Sequence, residues 1–158
     1  MDKVEALKIL MTKVDNYNLL LSIKHNTENV TVKWMPLFER KSPNIILGAS
    51  INGFWVRSNQ QNVFEFIPGT PLVFLLPCLE IPRNAFFEEI TKSIVTAGLP
   101  AEAVNTFPIS DLIITGLNSW SEHWTDHALK WITPIDLTPE ICSSLEIVAT
   151  TKDRRIPQ

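Results

Sequence analysis

Residues 45–58 read IILGASINGFWVRS, two apolar runs on either side of Asn52-Gly53. Asparagine and glycine readily adopt positive φ angles, which a two-residue type I′ hairpin turn requires at both central positions. We therefore expect Ile45–Ser50 and Phe54–Ser58 to form two antiparallel strands joined by this turn.

Further short apolar runs lie on both sides of this hairpin. Before it, Leu19–His25 and Val30–Met35 flank a polar turn, and the second run alternates apolar and polar residues with the period of a strand. After it come Val63–Ile67 and Leu72–Leu76. Because only a short connection separates each run from the next, the sequence predicts an antiparallel β-meander of about five to six short strands.

Helical spacing of apolar residues is found before and after this meander. An N-terminal stripe predicts an amphipathic helix and contains Val4, Leu7, Met11 and Val14. Four later segments carry helix-start signals, at Asn84, Pro108, Ser119 and Thr138, and the spacing of Ser119 and Glu122 is that of a capping box. The predicted fold class is α+β, with an N-terminal helix, the meander, and a C-terminal helical half packed on the sheet.

Length and composition predict the domain organisation. The chain has 158 residues, of which 45% are hydrophobic and 20% charged, as in a folded globular protein. We expect a single α+β domain over residues 1–151, with a helix-plus-sheet half at 1–81 and a helical half at 82–151. Residues 152–158 read KDRRIPQ and predict a basic tail.

Charge and hydropathy argue against several classes of protein. The chain has 14 Lys and Arg against 17 Asp and Glu, whereas phosphate neutralisation needs clustered cations, so we expect no nucleic-acid partner. No apolar run approaches the roughly 18 to 20 residues of a membrane span. The start of the chain does not resemble a secretory signal, and two cysteines do not make a disulfide framework. We expect a soluble, cytoplasmic protein with no membrane partner.

Acidic residues are concentrated in the second half of the chain. Residues 1–81 carry eight cations and seven anions, whereas residues 82–151 carry three cations and nine anions. One interpretation is a surface that steers a basic partner, with Glu122, Asp126 and Asp136 as candidate contacts. The other is an ordinary solvated set of helices, kept soluble by its carboxylates.

The sheet region is poor in charge and rich in aromatic residues. Between Ser42 and Leu79 only Arg57 and Glu65 are charged. Either helices cover both faces of the sheet, or one face contacts another chain. In the second case Trp55 is a candidate partner contact, and a homo-oligomer could form through the charge-poor sheet.

Two histidines raise the possibility of a metal site. His123 and His127 are four residues apart in a predicted helix, so both imidazoles can reach one ion, which would be zinc in the alternative that we keep open. However, the residue after His123 is Trp124, whereas a zincin has glutamate there. The other interpretation is that His127 packs with a tryptophan stripe and His123 is solvated.

The leading functional hypothesis is a small non-enzymatic interaction protein that binds another protein. Neutralising a basic effector, as an immunity or inhibitor protein does, is one concrete form. The alternative is a metal-binding protein or metal-dependent enzyme that uses the His123/His127 pair. A sheet pocket for a small apolar ligand, lined by Trp34, Trp55 and Phe64, is a third class. Because the sequence has no GxSxG motif and no phosphate-binding glycine loop, we lean away from an enzyme and expect no cofactor under the leading hypothesis.

Overall fold

The computed structural model describes residues 2–27, 29–59 and 61–154, without the side chains of residues 152–154. It confirms the α+β class, with an N-terminal helix, a five-stranded sheet and later helices. The chain divides into two compact units. The first unit comprises Met1–Thr70 and Asn84–Pro108, and the second comprises Pro71–Arg83 and Ile109–Gln158.

The strands all lie in the first unit. They are β1 (Leu20–Lys24), β2 (Thr31–Lys41), β3 (Asn44–Ser50), β4 (Trp55–Ser58) and β5 (Asn62–Glu65). Consecutive strands pair antiparallel, as the meander predicts. In addition, β1 pairs in parallel with β5, which closes the sheet on itself. The sequence did not predict this closing pair.

The turn between β3 and β4 differs from the prediction. The Gly53 N–H donates to the Ser50 carbonyl at 3.1 Å, and the Ser50 N–H donates to the Phe54 carbonyl at 2.9 Å. Gly53 has a φ of 88°, whereas Asn52 is not among the described residues with positive φ. The connection is thus a three-residue loop with a left-handed glycine at its end, not a type I′ turn.

The inside of the closed sheet is filled by side chains from three strands. Val32, Trp34, Val56 and Val63 form a buried apolar cluster there. The Trp34 indole N–H donates to the Ser22 hydroxyl at 2.9 Å, so its polar atom is satisfied. The packing is therefore that of a core.

The predicted sixth strand is wrong. Residues 73–80 form a 3-10 helix, Val73–Glu80, in the second unit. Within and just before it, the buried residues have the spacing of a helix, with Leu72, Leu75, Leu76 and Leu79 on the covered side. The Leu72 N–H donates to the Thr115 hydroxyl at 3.0 Å rather than to a neighbouring strand.

The helices of the first unit are α1 (Lys3–Met11) and α2 (Arg83–Thr96, which belongs to this unit from Asn84 onward). The predicted N-terminal stripe is confirmed by the burial of Leu7 and Met11. Within this unit α2 packs on the sheet, since the Phe86 and Phe38 ring centroids are 5.4 Å apart.

The second unit contains α3 (Ile109–Leu117), α4 (Glu122–Trp131) and α5 (Pro139–Arg154). A Cβ on Gly116 of α3 would lie 2.8 Å from Cβ of Ala128, so α3 and α4 are in close contact there. The buried Trp131 donates its indole N–H to the Ile81 carbonyl at 2.9 Å. None of the helices in the described part of the chain is both long and apolar enough to cross a bilayer.

Candidate functional site

The start of α4 carries most of the residues that the sequence singled out. Its N-cap is Ser121, whose hydroxyl accepts from the Trp124 N–H at 3.3 Å. The predicted capping box between Ser119 and Glu122 is therefore wrong, since the Ser119 hydroxyl donates to the Gly116 carbonyl at 2.7 Å instead. Ser119 thus joins the end of α3 to the turn that begins α4.

Trp120 occupies the turn between these two helices. Its φ is 60°, and 68% of the residue is exposed. A bulky side chain in the left-handed region is unfavourable, because its Cβ crowds the following carbonyl oxygen. Trp120 thus combines an unfavourable backbone conformation with an exposed aromatic side chain, a combination often associated with function.

Two carboxylates follow this tryptophan in sequence, in the first two turns of α4. Glu122 and Asp126 are exposed and one helical turn apart, so both lie on the same side of α4. Glu80, at the end of the 3-10 helix, lies beside α4, with Oε1 3.1 Å from Nε2 of His123. We call Glu80, Trp120, Glu122 and Asp126 the α4 surface.

The charge balance of the second unit matches this local pattern. Residues 71–83 and 109–151 carry seven carboxylates but only two cations, Arg83 and Lys130. Arg83 is paired with Asp136, so it does not offset the carboxylates of the α4 surface. The four charged residues at the end of the chain, Lys152, Asp153, Arg154 and Arg155, reduce this excess of negative charge from five to three over the whole unit.

Asp136 lies inside the fold, although the sequence had suggested a partner contact. The residue is 6% exposed, and its carboxylate accepts from Arg83 and from the Thr133 N–H and hydroxyl, the last two at 2.7 and 2.8 Å. Burial raises the pKa of Asp136, but the hydrogen bonds from Arg83 and Thr133 and the Arg83 charge outweigh that effect and leave the pKa below its ordinary value. Asp136 is therefore left out of the α4 surface.

Trp55 is also inside the fold, in the first unit. It is 2% exposed, and its indole N–H donates to the Thr106 hydroxyl at 3.0 Å. Residues 47–50 of the adjacent β3 are all buried, so both faces of this strand are covered. This coverage explains the absence of charged residues in β3, and because Trp55 is buried we do not include it in a binding surface.

The two histidines are neighbours, as their spacing predicts. The ring centroids of His123 and His127 are 4.6 Å apart. The side chain of His123 is 54% exposed, whereas His127 is half-buried, with its ring centroid 6.4 Å from that of Trp124. Among the residues that the structure describes, no group of three or more His, Cys, Asp or Glu is placed to hold a metal ion.

Sequence reasoning missed two residues with strong local roles. Glu65 is buried at the end of the closed sheet and accepts from the Ser50 hydroxyl at 2.8 Å and the Asn52 amide at 3.2 Å, with Lys24 Nζ at 3.7 Å. The sequence did offer one signal for Glu65, because it is one of only two charged residues between Ser42 and Leu79. The second residue is Glu80. It contacts His123, which is 43 positions away in the sequence, and no local sequence pattern indicates such a contact.

Comparison of the chain with family models, with curated proteins and with solved structures found no match.

Proposed function

We propose that this protein is a non-enzymatic interaction protein whose α4 surface binds a basic face of another protein. The observation that carries the proposal is Trp120, which is 68% exposed in a left-handed backbone conformation beside the carboxylates of α4. The left-handed backbone conformation is unfavourable for a bulky residue, and binding of another protein is a reason to keep a tryptophan there.

Tryptophan is suited to the centre of an interface. It contributes a large rigid contact area and is enriched among the few residues that dominate binding energy. Its aromatic face also attracts lysine and arginine side chains by a cation–π interaction. A basic partner can therefore contact Trp120 directly, while Glu122 and Asp126 supply the surrounding charge.

The carboxylates of the α4 surface mainly affect the rate of association. Complementary charge raises the on-rate of a protein pair at low ionic strength, and salt screens this effect. The second unit carries eight carboxylates and five cations over residues 71–83 and 109–158, a net negative charge that can attract a basic protein. The specific form that we propose is neutralisation of a basic effector, as an immunity or inhibitor protein does.

The first experiment identifies the partner. The tagged protein is isolated gently from its own host and measured by native mass spectrometry, which gives the mass and stoichiometry of any bound polypeptide. A stoichiometric basic polypeptide is the expected result. Isolation of the protein alone, or with an acidic polypeptide, would contradict the proposed partner class.

The second experiment tests the surface with that partner. Glu122→Lys/Asp126→Lys should lower the on-rate by about tenfold or more at low salt. The difference should shrink near 1 M salt, where the Debye length is only about 3 Å. The matched control is Glu140→Lys/Glu146→Lys, which makes the same change in net charge at exposed positions of α5. Equal effects of the two pairs would mean that overall charge, rather than the α4 surface, attracts the partner.

A further inference from the structure

We propose that His123 and His127 form a two-imidazole chelate for a divalent transition-metal ion, with Glu80 as the group that orients His123. This site shares Glu80 with the α4 surface, but it does not depend on the proposed protein partner. Its basis is the contact of three side chains in the second unit: two rings with centroids 4.6 Å apart, and a carboxylate 3.1 Å from one of them.

The two rings lie close together on α4, with centroids 4.6 Å apart. Residues four apart lie on the same side of a helix, which is the arrangement that paired histidines use to bind zinc. His123 is exposed and His127 half-buried, so an ion can enter from solvent. Two protein ligands leave the remaining coordination positions to water.

Glu80 determines which nitrogen of His123 is available. An ionised carboxylate can only accept a hydrogen bond, so in the contact with Oε1 of Glu80 the Nε2 atom of His123 carries the hydrogen. In a neutral imidazole the lone pair is then on Nδ1. A carboxylate that holds the non-ligating N–H of a histidine is the usual second partner in metal sites, where it fixes the tautomer and raises the basicity of the ligand.

The chemistry of the donors selects the metal. Imidazole nitrogen suits zinc, copper and nickel, whereas magnesium and calcium prefer oxygen ligands. Among the divalent ions of the first transition row, copper should bind most tightly. We therefore expect binding of Cu²⁺, Ni²⁺ and Zn²⁺ and none of Mg²⁺ or Ca²⁺ at the same concentrations.

The test is titration of the full chain with Cu²⁺ and Zn²⁺ by isothermal calorimetry, with electron paramagnetic resonance of the Cu²⁺ complex. The expected result is one ion per chain and a spectrum with nitrogen hyperfine coupling. His123→Asn and His127→Asn should each weaken binding by at least about tenfold, and Glu80→Gln by about tenfold. All variants are first compared by circular dichroism and thermal unfolding, so that a loss of folding is recognised.

Two controls separate this site from other donors. Cys142 is an exposed free cysteine and could bind the same ions, so Cys142→Ser must retain the full affinity. His25, the remaining histidine, lies in the first unit, and His25→Asn must also retain it. Unchanged affinity in either α4 variant, or loss of binding in Cys142→Ser, would overturn the proposal, while leaving the proposed protein partner unaffected.

Discussion

Arg83 and Asp136 are 53 positions apart and form a two-point ion pair inside the second unit, from Nη1 to Oδ2 and from Nη2 to Oδ1. Arg83 also donates to the carbonyl of Trp131 at the end of α4. Asp136 accepts from the Thr133 N–H in the segment that follows. The pair therefore fixes the connection between α4 and α5.

Loss of this pair should destabilise the protein. Asp136→Asn leaves the partly buried Arg83 guanidinium without its counter-charge, and we expect the free energy of unfolding to fall by about 2–3 kcal/mol, somewhat less than for a fully buried pair. The measurement is urea unfolding followed by circular dichroism. The control is Glu140→Gln, which neutralises an exposed carboxylate of α5 and should change stability by less than about 0.5 kcal/mol. Equal losses in the two variants would contradict the role assigned to the pair.

The same pair predicts a pH dependence with a definite sign. The pKa of Asp136 is lower in the folded protein than its ordinary value. The ionised carboxylate therefore contributes stability above the unfolded pKa of about 3.9, and this contribution is lost as pH falls through the folded pKa. The difference in unfolding free energy between wild type and Asp136→Asn should be constant from about pH 5 to 7 and shrink below about pH 4. A difference that grows in acid would mean that the folded pKa is raised.

The sequence predicted those elements whose apolar residues repeat with a clear period. The helical spacing of Leu7 and Met11 predicted α1, and the apolar runs on either side of Asn52-Gly53 predicted β3 and β4. The prediction of a strand at Leu72–Leu76 is wrong because all five of its residues are apolar, so that no polar positions revealed the helical spacing of the buried ones. The closure of the sheet by β1 and β5 depends on pairing between distant segments, which local periods do not encode.

Charge counting located the acidic half of the chain but could not separate its exposed carboxylates from its buried ones. Glu122 and Asp126 are exposed, whereas Asp136 is used by Arg83, a residue far away in sequence. The helical spacing of His123 and His127 predicted their proximity correctly. Glu80 could not be predicted as their neighbour, because it is 43 positions away from His123 in the sequence.

The contact of α3 with α4 should not tolerate a larger residue at Gly116. Alanine is favoured over glycine in a helix by about 1 kcal/mol, but its Cβ would lie 2.8 Å from both Cβ of Ala128 and Cδ1 of Leu79. Since Cβ of Ala128 cannot move without its backbone, we expect Gly116→Ala to lower the free energy of unfolding by about 1–3 kcal/mol. Urea unfolding measures this change.

A double variant identifies the cause of that loss. Ala128→Gly removes the opposing Cβ, so Gly116→Ala/Ala128→Gly should be less destabilised than the sum of the two single variants. If the two effects simply add, the crowding at Ala128 is not the source of the cost.

Substitution of Trp120 by asparagine should raise the stability of the protein and weaken its binding to the partner. Asparagine tolerates the left-handed region better than other non-glycine residues, and Asn26 already adopts a φ of 60° in this protein. Trp120→Asn should therefore raise the free energy of unfolding by about 0.5–1 kcal/mol. It should also weaken binding of the partner, because the exposed aromatic contact is lost.

The matched control for this prediction is Trp120→Ala, which removes the indole but keeps a residue that is unfavourable at positive φ. Both variants should lose affinity for the partner, and only Trp120→Asn should gain stability. Unfolding by urea and the dissociation constant of the isolated complex are measured on the same preparations. If both variants gain stability, the destabilising effect of Trp120 comes from its exposed indole rather than from its backbone conformation. If both variants retain their affinity for the partner, Trp120 is not part of the binding surface.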